Sequence, residues 1–314
     1  MAIINFIPEF WSSILLERLR KALVFGQEGI INKDYEGDVR RGSAVRITSI
    51  GEVDVNTYVP DVDMADPQIL SDNQLKLNID QFDSFNFGLD DVQAKRAAGG
   101  IIPLAMSRAA YRLKDKADQF IAGLYTDASA DNLIGTDAAP KVPNATAGDA
   151  QNIFNLISQA TRVLDDSYVP SDGRFMVVPP FVAKILAQDL KGSPAFAYQG
   201  VMTQVAEGGL GGDTNGATMG VIGGSPAPSN GFVAEIDGFR VYKSPNVNSS
   251  VVGLNTVYHV MFGDSQAITY ADQIDQTETI RHPKQFKDII RGLHVYGGKV
   301  TRPQCLGCLS VSET

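Results

Sequence analysis

Between Glu52 and Asp91 the chain carries ten carboxylates and one lysine, Lys76, a local balance of −9 that equals the formal net charge of all 314 residues. The segment alternates apolar and polar positions as extended structure does, yet it has too few large side chains for a core of its own. Leu75, Leu77 and Ile79 alternate toward Phe82, Phe85 and Phe87, while Pro60 to Ser71 reads as a polar connection. An acidic β-arm of this kind needs a surface to lie on. The densest positive charge lies from Arg281 to Arg302, where Arg281, Lys284, Lys287, Arg291, Lys299 and Arg302 face only Asp288, a local +5. If that surface belongs to a neighbouring copy, the chain is built to form a lattice, and its role is structural rather than enzymatic.

With 44% hydrophobic residues, the chain can bury a sizeable core as one large domain or two moderate ones. Thirty glycines and fifteen prolines imply many turns, hence β-rich or mixed structure rather than a helical bundle. A pI near 4.9 argues against a protein that grips nucleic acid through its phosphates, though not against a container that encloses it. The opening MAIINFIPEFWSSILLERLRKALV has no positive n-region and no small-residue cleavage site, so no secretory signal is expected. No run approaches the roughly 20 apolar residues of a membrane span. Asn144-Ala-Thr146 and Asn248-Ser-Ser250 are therefore not read as glycosylation sites.

The catalytic and ligand-binding inventory is short. Cys305 and Cys308 read as two semi-exposed thiols in a terminal turn, since a structural zinc takes four ligands and only His259, His282 and His294 could add to the pair. Asp61, Asp63 and Asp66 lack the glycine turn and distal glutamate of a calcium loop and read as a solvated acidic tip. Gly208 to Gly224 is glycine-rich but has no Gly-Lys-Ser/Thr ending, and Thr214 stands where a dinucleotide fingerprint needs its third glycine. Ser225 follows Gly223-Gly224 but precedes Pro226-Ala227, so there is no nucleophile elbow. Neither catalytic residues, metal nor cofactor is expected.

Along the chain, Pro8 to Val24 reads as an amphipathic helix, with Phe10 and Trp11 at its start and Leu15 and Leu19 on its apolar stripe. It either packs on its own domain or forms an arm that docks on a neighbour. Ala44–Ile50 and Val53–Tyr58 read as strands about a Gly51-Glu52 turn. A short helix is predicted over Asp90 to Ala98, capped by Gly99-Gly100, then a long helix from Pro103 to about Tyr125. Thr126 to Gly148 is a small-residue loop. Ala150 to Leu164 is predicted helical, Arg174 to Val178 a short buried strand, and Phe181 to Leu190 a helix. Phe232–Ile236 and Phe239–Lys243 form a hairpin about Asp237-Gly238. Val257 to Phe262 and Ala267 to Tyr270 are strands, and Phe286 to Val300 carries a last apolar pattern. The mixture is α+β.

This order of parts resembles the major capsid protein of tailed bacteriophages, the Hong Kong 97-type fold. The stretches Gly231–Asn246 (GFVAEIDGFRVYKSPN) and Ala267–Pro303 (AITYADQIDQTETIRHPKQFKDIIRGLHVYGGKVTRP) are similar to phage coat sequences, as is the N-terminal IPEFWSSILLERLRKALVFGQ. The resemblance implies an N-terminal arm (1–40), an extended β-loop (41–88), a spine helix with the first part of a peripheral domain (89–149), an axial domain (150–250) and return strands of the peripheral domain (251–314). It implies a shell subunit that assembles as hexamers and pentamers around double-stranded DNA, without sequence-specific binding and without a membrane. A separate scaffolding protein is implied because the chain opens without a long scaffolding region; a portal and a decoration protein are further partners the resemblance suggests. Assembly in the host bacterial cytoplasm and residence in the virion follow from the same likeness. Lys76 is the only loop lysine a covalent crosslink could use, and no acceptor is identified.

Inter-subunit contact is expected between the acidic Asp54, Asp61, Asp63, Asp66, Asp72, Asp80 and Asp83 and the six basic residues from Arg281 to Arg302. Phe10, Trp11, Leu15 and Leu19 are the expected contacts of the arm. Two other readings compete. One is an encapsulin-type nanocompartment shell, which shares the fold but encloses an enzyme; the other is a soluble enzyme with a site at the glycine loop.

Overall fold

Five consecutive buried residues, Arg174–Val178, form the strand about which the larger part of the molecule is organised. The computed structural model describes residues 24–34, 44–50, 72–90, 101–146, 149–192, 202–205, 231–253 and 255–313. Its strands are β1 (Ala44–Ile50), β2 (Asp72–Asn78), β3 (Gln81–Asp90), β4 (Leu133–Ile134), β5 (Arg174–Val178), β6 (Met202–Val205), β7 (Phe232–Ile236), β8 (Phe239–Lys243), β9 (Ser249–Val252), β10 (Asn255–Asp264), β11 (Ile268–Arg281), β12 (Lys287–Val300) and β13 (Leu306–Ser312). Its helices are α1 (Ile101–Gly123), α2 (Ile153–Asp166) and α3 (Pro180–Gly192).

The large sheet is mixed, in the order β4-β13-β10-β5-β8-β7-β6, with β9 paired to β10. Because β5 is central, its alternate side chains serve two cores. Met176 and Val178 meet α2 and α3 through Leu156, Ile157, Ala160, Leu164, Val182 and Leu186. Phe175 and Val177 point the other way, toward Ala117 and Ile121 of α1 and toward Phe25, Ile30 and Ile31. α1 thus joins the large sheet to a second sheet of three antiparallel strands, β11-β12-β3. β1 and β2 form a separate two-stranded ribbon.

Local chemistry accounts for the joints. Asn152 caps α2, its side-chain oxygen accepting the Phe154 N–H at 2.9 Å. Asp237 and Gly238 both have positive φ, 50° and 80°, the geometry a two-residue hairpin turn requires. Arg174 is only 2% exposed. Its guanidinium holds Asp165 at 2.6 Å and the Pro170 carbonyl at 2.9 Å, which fixes the connection from α2 into β5.

Several expectations are corrected. Cys305 does sit half-buried in a turn over Pro303–Cys305, but Cys308 is not a semi-exposed thiol of that turn. Leu306–Ser312 is a strand buried at every position, and burial raises the Cys308 thiol pKa to about 12. Its small residues gave no apolar alternation because both of its faces are covered. β11 runs to Arg281, far past Tyr270, through the polar run Asp272–Thr279. A register shift between Ile274 and Gln276 breaks its period, which hid the strand from pattern reading. The described partner of β1 is β2, with Ala44 opposite Asn78 and Ile50 opposite Asp72. The helix carrying Phe10, Trp11, Leu15 and Leu19, the Val53–Tyr58 strand, the helix predicted after Asp90, and Gly208 to Gly224 lie outside the described residues.

Phe262 is fully buried between the α2–α3 layer and the sheet, edge-on to Phe239 at 6.0 Å between ring centroids. Phe262→Ala leaves a cavity there and is expected to cost about 3–5 kcal/mol, read as a lowered midpoint in chemical denaturation of the purified chain.

Candidate assembly surface

β12 is the middle strand of the three-stranded sheet, so its successive side chains face opposite sides. On one side lie His294 and Tyr296, with Asp83 and Phe85 of β3 opposite His294 and Gly292. α1 covers this side. Phe120 meets Tyr296 edge-on at 5.5 Å, Phe85 packs against Ala110 and Leu113, and Lys116 Nζ stands 3.6 Å from Asp83. On the other side Leu293, Val295 and Ala271 receive Leu77 and Ile79 from the stem of the acidic loop. The sheet is therefore held between the helix and the loop stem.

Glycines on β12 permit this closeness. A Cβ on Gly297 would collide with the Asn78 carbonyl and the Ile79 backbone, and one on Gly292 would enter the Phe85 ring. These are two of the few positions where a side chain is excluded by its surroundings rather than by backbone conformation.

The expected charged residues divide into three groups. Asp54, Asp61, Asp63 and Asp66 lie outside the described residues. Asp72 ends β2 opposite Ile50, and Asp80 is exposed and accepts the Gln81 side-chain N–H at 2.9 Å. Asp83 turns inward instead, accepting the Tyr296 hydroxyl at 2.8 Å. The basic residues do line one hairpin and its exit, but several are satisfied by their own chain. Arg291 donates twice to Glu278 Oε2, at 2.6 and 3.0 Å, and Arg281 donates to Asp288 at 2.8 Å. Lys299 reaches the Lys76 carbonyl at 3.4 Å, and Arg302 the Gln266 amide oxygen at 3.1 Å. Lys284 sits exposed at the hairpin tip, and the Lys287 stem lies over Gly88. Two large apolar side chains flank this region in the open, Phe286 at 80% and Phe82 at 66% exposure. Sequence reading missed them because a lone phenylalanine in a turn, or on an alternating strand, looks like any core residue.

A polar cluster lies beneath α1. His294 is 1% exposed and neither ring nitrogen has a hydrogen-bond partner among the described residues. Burial lowers its pKa, and Asp272 and Asp83 oppose that shift. Burial also raises the pKa of Tyr296, and its hydrogen bond to Asp83 adds to the effect.

A second cluster has the composition of a nucleophile relay but not its geometry. Ser250 Oγ is 3.2 Å from His259 Nε2 and donates to Asp137 at 3.1 Å, while Asp137 lies 3.7 Å from the same Nε2. A relay needs the carboxylate on the other ring nitrogen. The imidazole is instead stacked on Tyr125 at 4.2 Å, and the cluster ties β9 to the turn at Asp137. Among the described residues no group of three or more His, Cys, Asp or Glu is placed to hold a metal, and no helix is long and apolar enough to cross a membrane.

Residues 73–307 match a family described as phage capsid protein. Among solved structures, a protein of Mycobacterium phage Che8 is 28% identical, with a TM-score of 0.63 and 98% of each chain covered. The capsid of Ralstonia phage GP4 is similar at 15% identity, TM-score 0.63, with 93% of this chain and 91% of that one covered. A virus-like particle from Pyrococcus furiosus is similar at 10% identity, TM-score 0.53, covering 97% of this chain and 100% of that one. No curated protein matches the sequence.

Two outcomes are expected from this geometry. Gly297→Val should dislodge the loop stem, read as faster hydrogen exchange over residues 72–80 with the α2–α3 core unaffected. The lowered His294 pKa means that the folded chain binds fewer protons than the unfolded one. The associated stability is complete above the unfolded value of about 6.5 and is lost as pH falls toward the folded value. Between pH 7.5 and 5.5, His294→Gln should lose less stability than the parent, in denaturation at each pH.

Proposed function

The chain belongs to the phage capsid protein family and has the Hong Kong 97-type fold, and from that premise we propose how one copy holds the next. It is a major capsid protein, a homo-oligomeric shell subunit of the virion. The nanocompartment reading rests on a likeness of fold alone, and a mycobacteriophage relative covering nearly the whole chain favours the phage reading.

The observation that carries the proposed contact is the loop stem, which is seated on its own sheet through Leu77 and Ile79, while the acidic segment 51–71 has too few large side chains for a core of its own. That segment, with Asp54, Asp61, Asp63 and Asp66, lies on the peripheral sheet of an adjoining subunit. Its cationic partners there are Lys284 and Lys287 at the hairpin tip rather than Arg281 and Arg291, which already hold Asp288 and Glu278. Exposed Phe286 supplies apolar adhesion beside these charges, and Phe82, opposite Val295 farther along β12, adds a second apolar contact. Individual exposed ion pairs contribute only ~0–1 kcal/mol, so they set register, while repetition around the shell supplies stability.

In the same reading, residues 1–40 are the arm, with Phe10, Trp11, Leu15 and Leu19 docking on a neighbour, and 41–88 are the extended loop. Residues 89–149 and 251–314 make the peripheral domain, and 150–250 the axial domain that surrounds capsomer centres. The protein has no catalytic role. It assembles in the host cytoplasm with a separate scaffolding protein and a portal, accepts a decoration protein, and encloses double-stranded DNA without reading its sequence.

Lys284→Glu with Lys287→Glu should leave the free chain folded and raise the concentration threshold for shell formation about fivefold, the effect of losing about 1 kcal/mol per interface. Light scattering at low salt checks it, and adding Asp61→Lys with Asp63→Lys should restore assembly. An unchanged threshold would remove the charge contact.

A further inference from the structure

A second cationic surface lies on α1, on the opposite face of the three-stranded sheet from the loop stem. From Val92 to Lys116 the sequence has six cations, Lys95, Arg96, Arg108, Arg112, Lys114 and Lys116, against Asp115 alone. α1 turns Ala110, Leu113, Ala117 and Ile121 inward, each at most 5% exposed. At 100° per residue, Arg108 and Arg112 stand on the far side of the helix from that stripe, and both are exposed. Among the described residues no carboxylate pairs with either. The nearest acid in this shallow depression, Asp115, is already engaged by the side-chain amides of Asn246 at 2.9 Å and Gln119 at 3.3 Å. Tyr111, 61% exposed, lines the same depression, with Lys114 Nζ 5.4 Å from its ring centroid.

The partner of this face follows from its side of the sheet. The loop stem packs on the Leu293–Val295 side of β12, and α1 on the His294–Tyr296 side. Capsomer symmetry axes run through the wall, and rotation about them keeps inner faces inner and outer faces outer. A neighbour's acidic loop therefore meets the loop side, not α1. The polyanion left for α1 is the enclosed genome. Resting on the capsid reading above, we infer that the exposed face of α1 lines the shell interior and that Arg108 and Arg112 bind the phosphate backbone of the packaged DNA.

The two guanidiniums are one helical turn apart, about 6 Å along the axis, while a duplex presents a charge every ~1.7 Å. Contact therefore needs no base sequence and no fixed register. Two phosphate contacts per subunit are weak singly and numerous in the shell, which suits a genome that must be retained and later released.

The test uses complete particles carrying Arg108→Glu with Arg112→Glu, beside Arg108→Lys with Arg112→Lys. The inference expects both pairs to form shells at parental yield. The glutamate particles should lose DNA on heating at a lower temperature than the parent, and the lysine particles should match it. That difference should vanish near 1 M salt, where the screening length is about 3 Å. Equal DNA retention by glutamate and parent particles at low salt would overturn it. So would failure of the glutamate pair alone to form shells, since the face would then be a protein contact. If the unaltered chain forms no shells, the capsid reading itself fails, an outcome separate from either of these.

Discussion

The covering of β12 on both faces is the constraint on which the rest of this subunit depends. A middle strand whose neighbours also carry polar side chains cannot stand alone. α1 shields one side with Phe120, Leu113 and Ala110, and the base of the acidic loop shields the other with Leu77 and Ile79. Both layers approach closely because Gly292, Gly297 and Gly298 offer no side chain at the contact points. The same covering fixes direction. It puts the loop stem and α1 on opposite faces of one strand.

Electrostatics follows from that arrangement. Four of the six cations at the C-terminal hairpin are used at home: Arg281 and Arg291 by carboxylates, Lys299 and Arg302 by neutral oxygens. What the hairpin offers a neighbour is thus less charge than composition suggests, and it is concentrated at the tip beside Phe286. The inward-facing Asp83 belongs to the fold rather than to the surface, bound to Tyr296 and beside Lys116. Beneath α1 the sheet also keeps an imidazole with no described hydrogen-bond partner, at a cost in desolvation that surrounding apolar burial offsets.

How far the sequence could be read depended on whether burial was regular. β5, with its apolar run ending at Pro179-Pro180, and the Asp-Gly hairpin of β7 and β8 were legible to the residue. α1 was legible to within two residues at each end, because its buried stripe keeps a helical period. β11 was not, since its middle is polar and a register shift between Ile274 and Gln276 breaks its period. β13 was hidden for the opposite reason, being built largely of small residues and buried on both faces. Of the candidate site, the grouping of cations was legible, but their home partners Glu278 and Asp288 were not weighed as cross-strand neighbours. In sequence, Arg108 and Arg112 look like any solvated cations on a long helix. That no described carboxylate pairs with them, and that they face away from the buried stripe of α1, emerges from packing.

The root of the N-terminal arm is tied to the same helix. Asp118, 3% exposed, accepts the backbone N–H groups of Val24 and Phe25 and the side-chain amide of Asn246. Burial raises its pKa to about 6, and these hydrogen bonds oppose the shift. The sign is opposite to that at His294. The folded chain binds the proton more readily than the unfolded one, so protonation of Asp118 as pH falls through about 6 favours the folded state. At neutral pH the carboxylate is ionised and joins three segments at one atom group: the arm root, α1, and the connection leaving β8. α1 therefore meets the peripheral sheet through Phe120, the large sheet through Ala117 and Ile121, and the arm through Asp118.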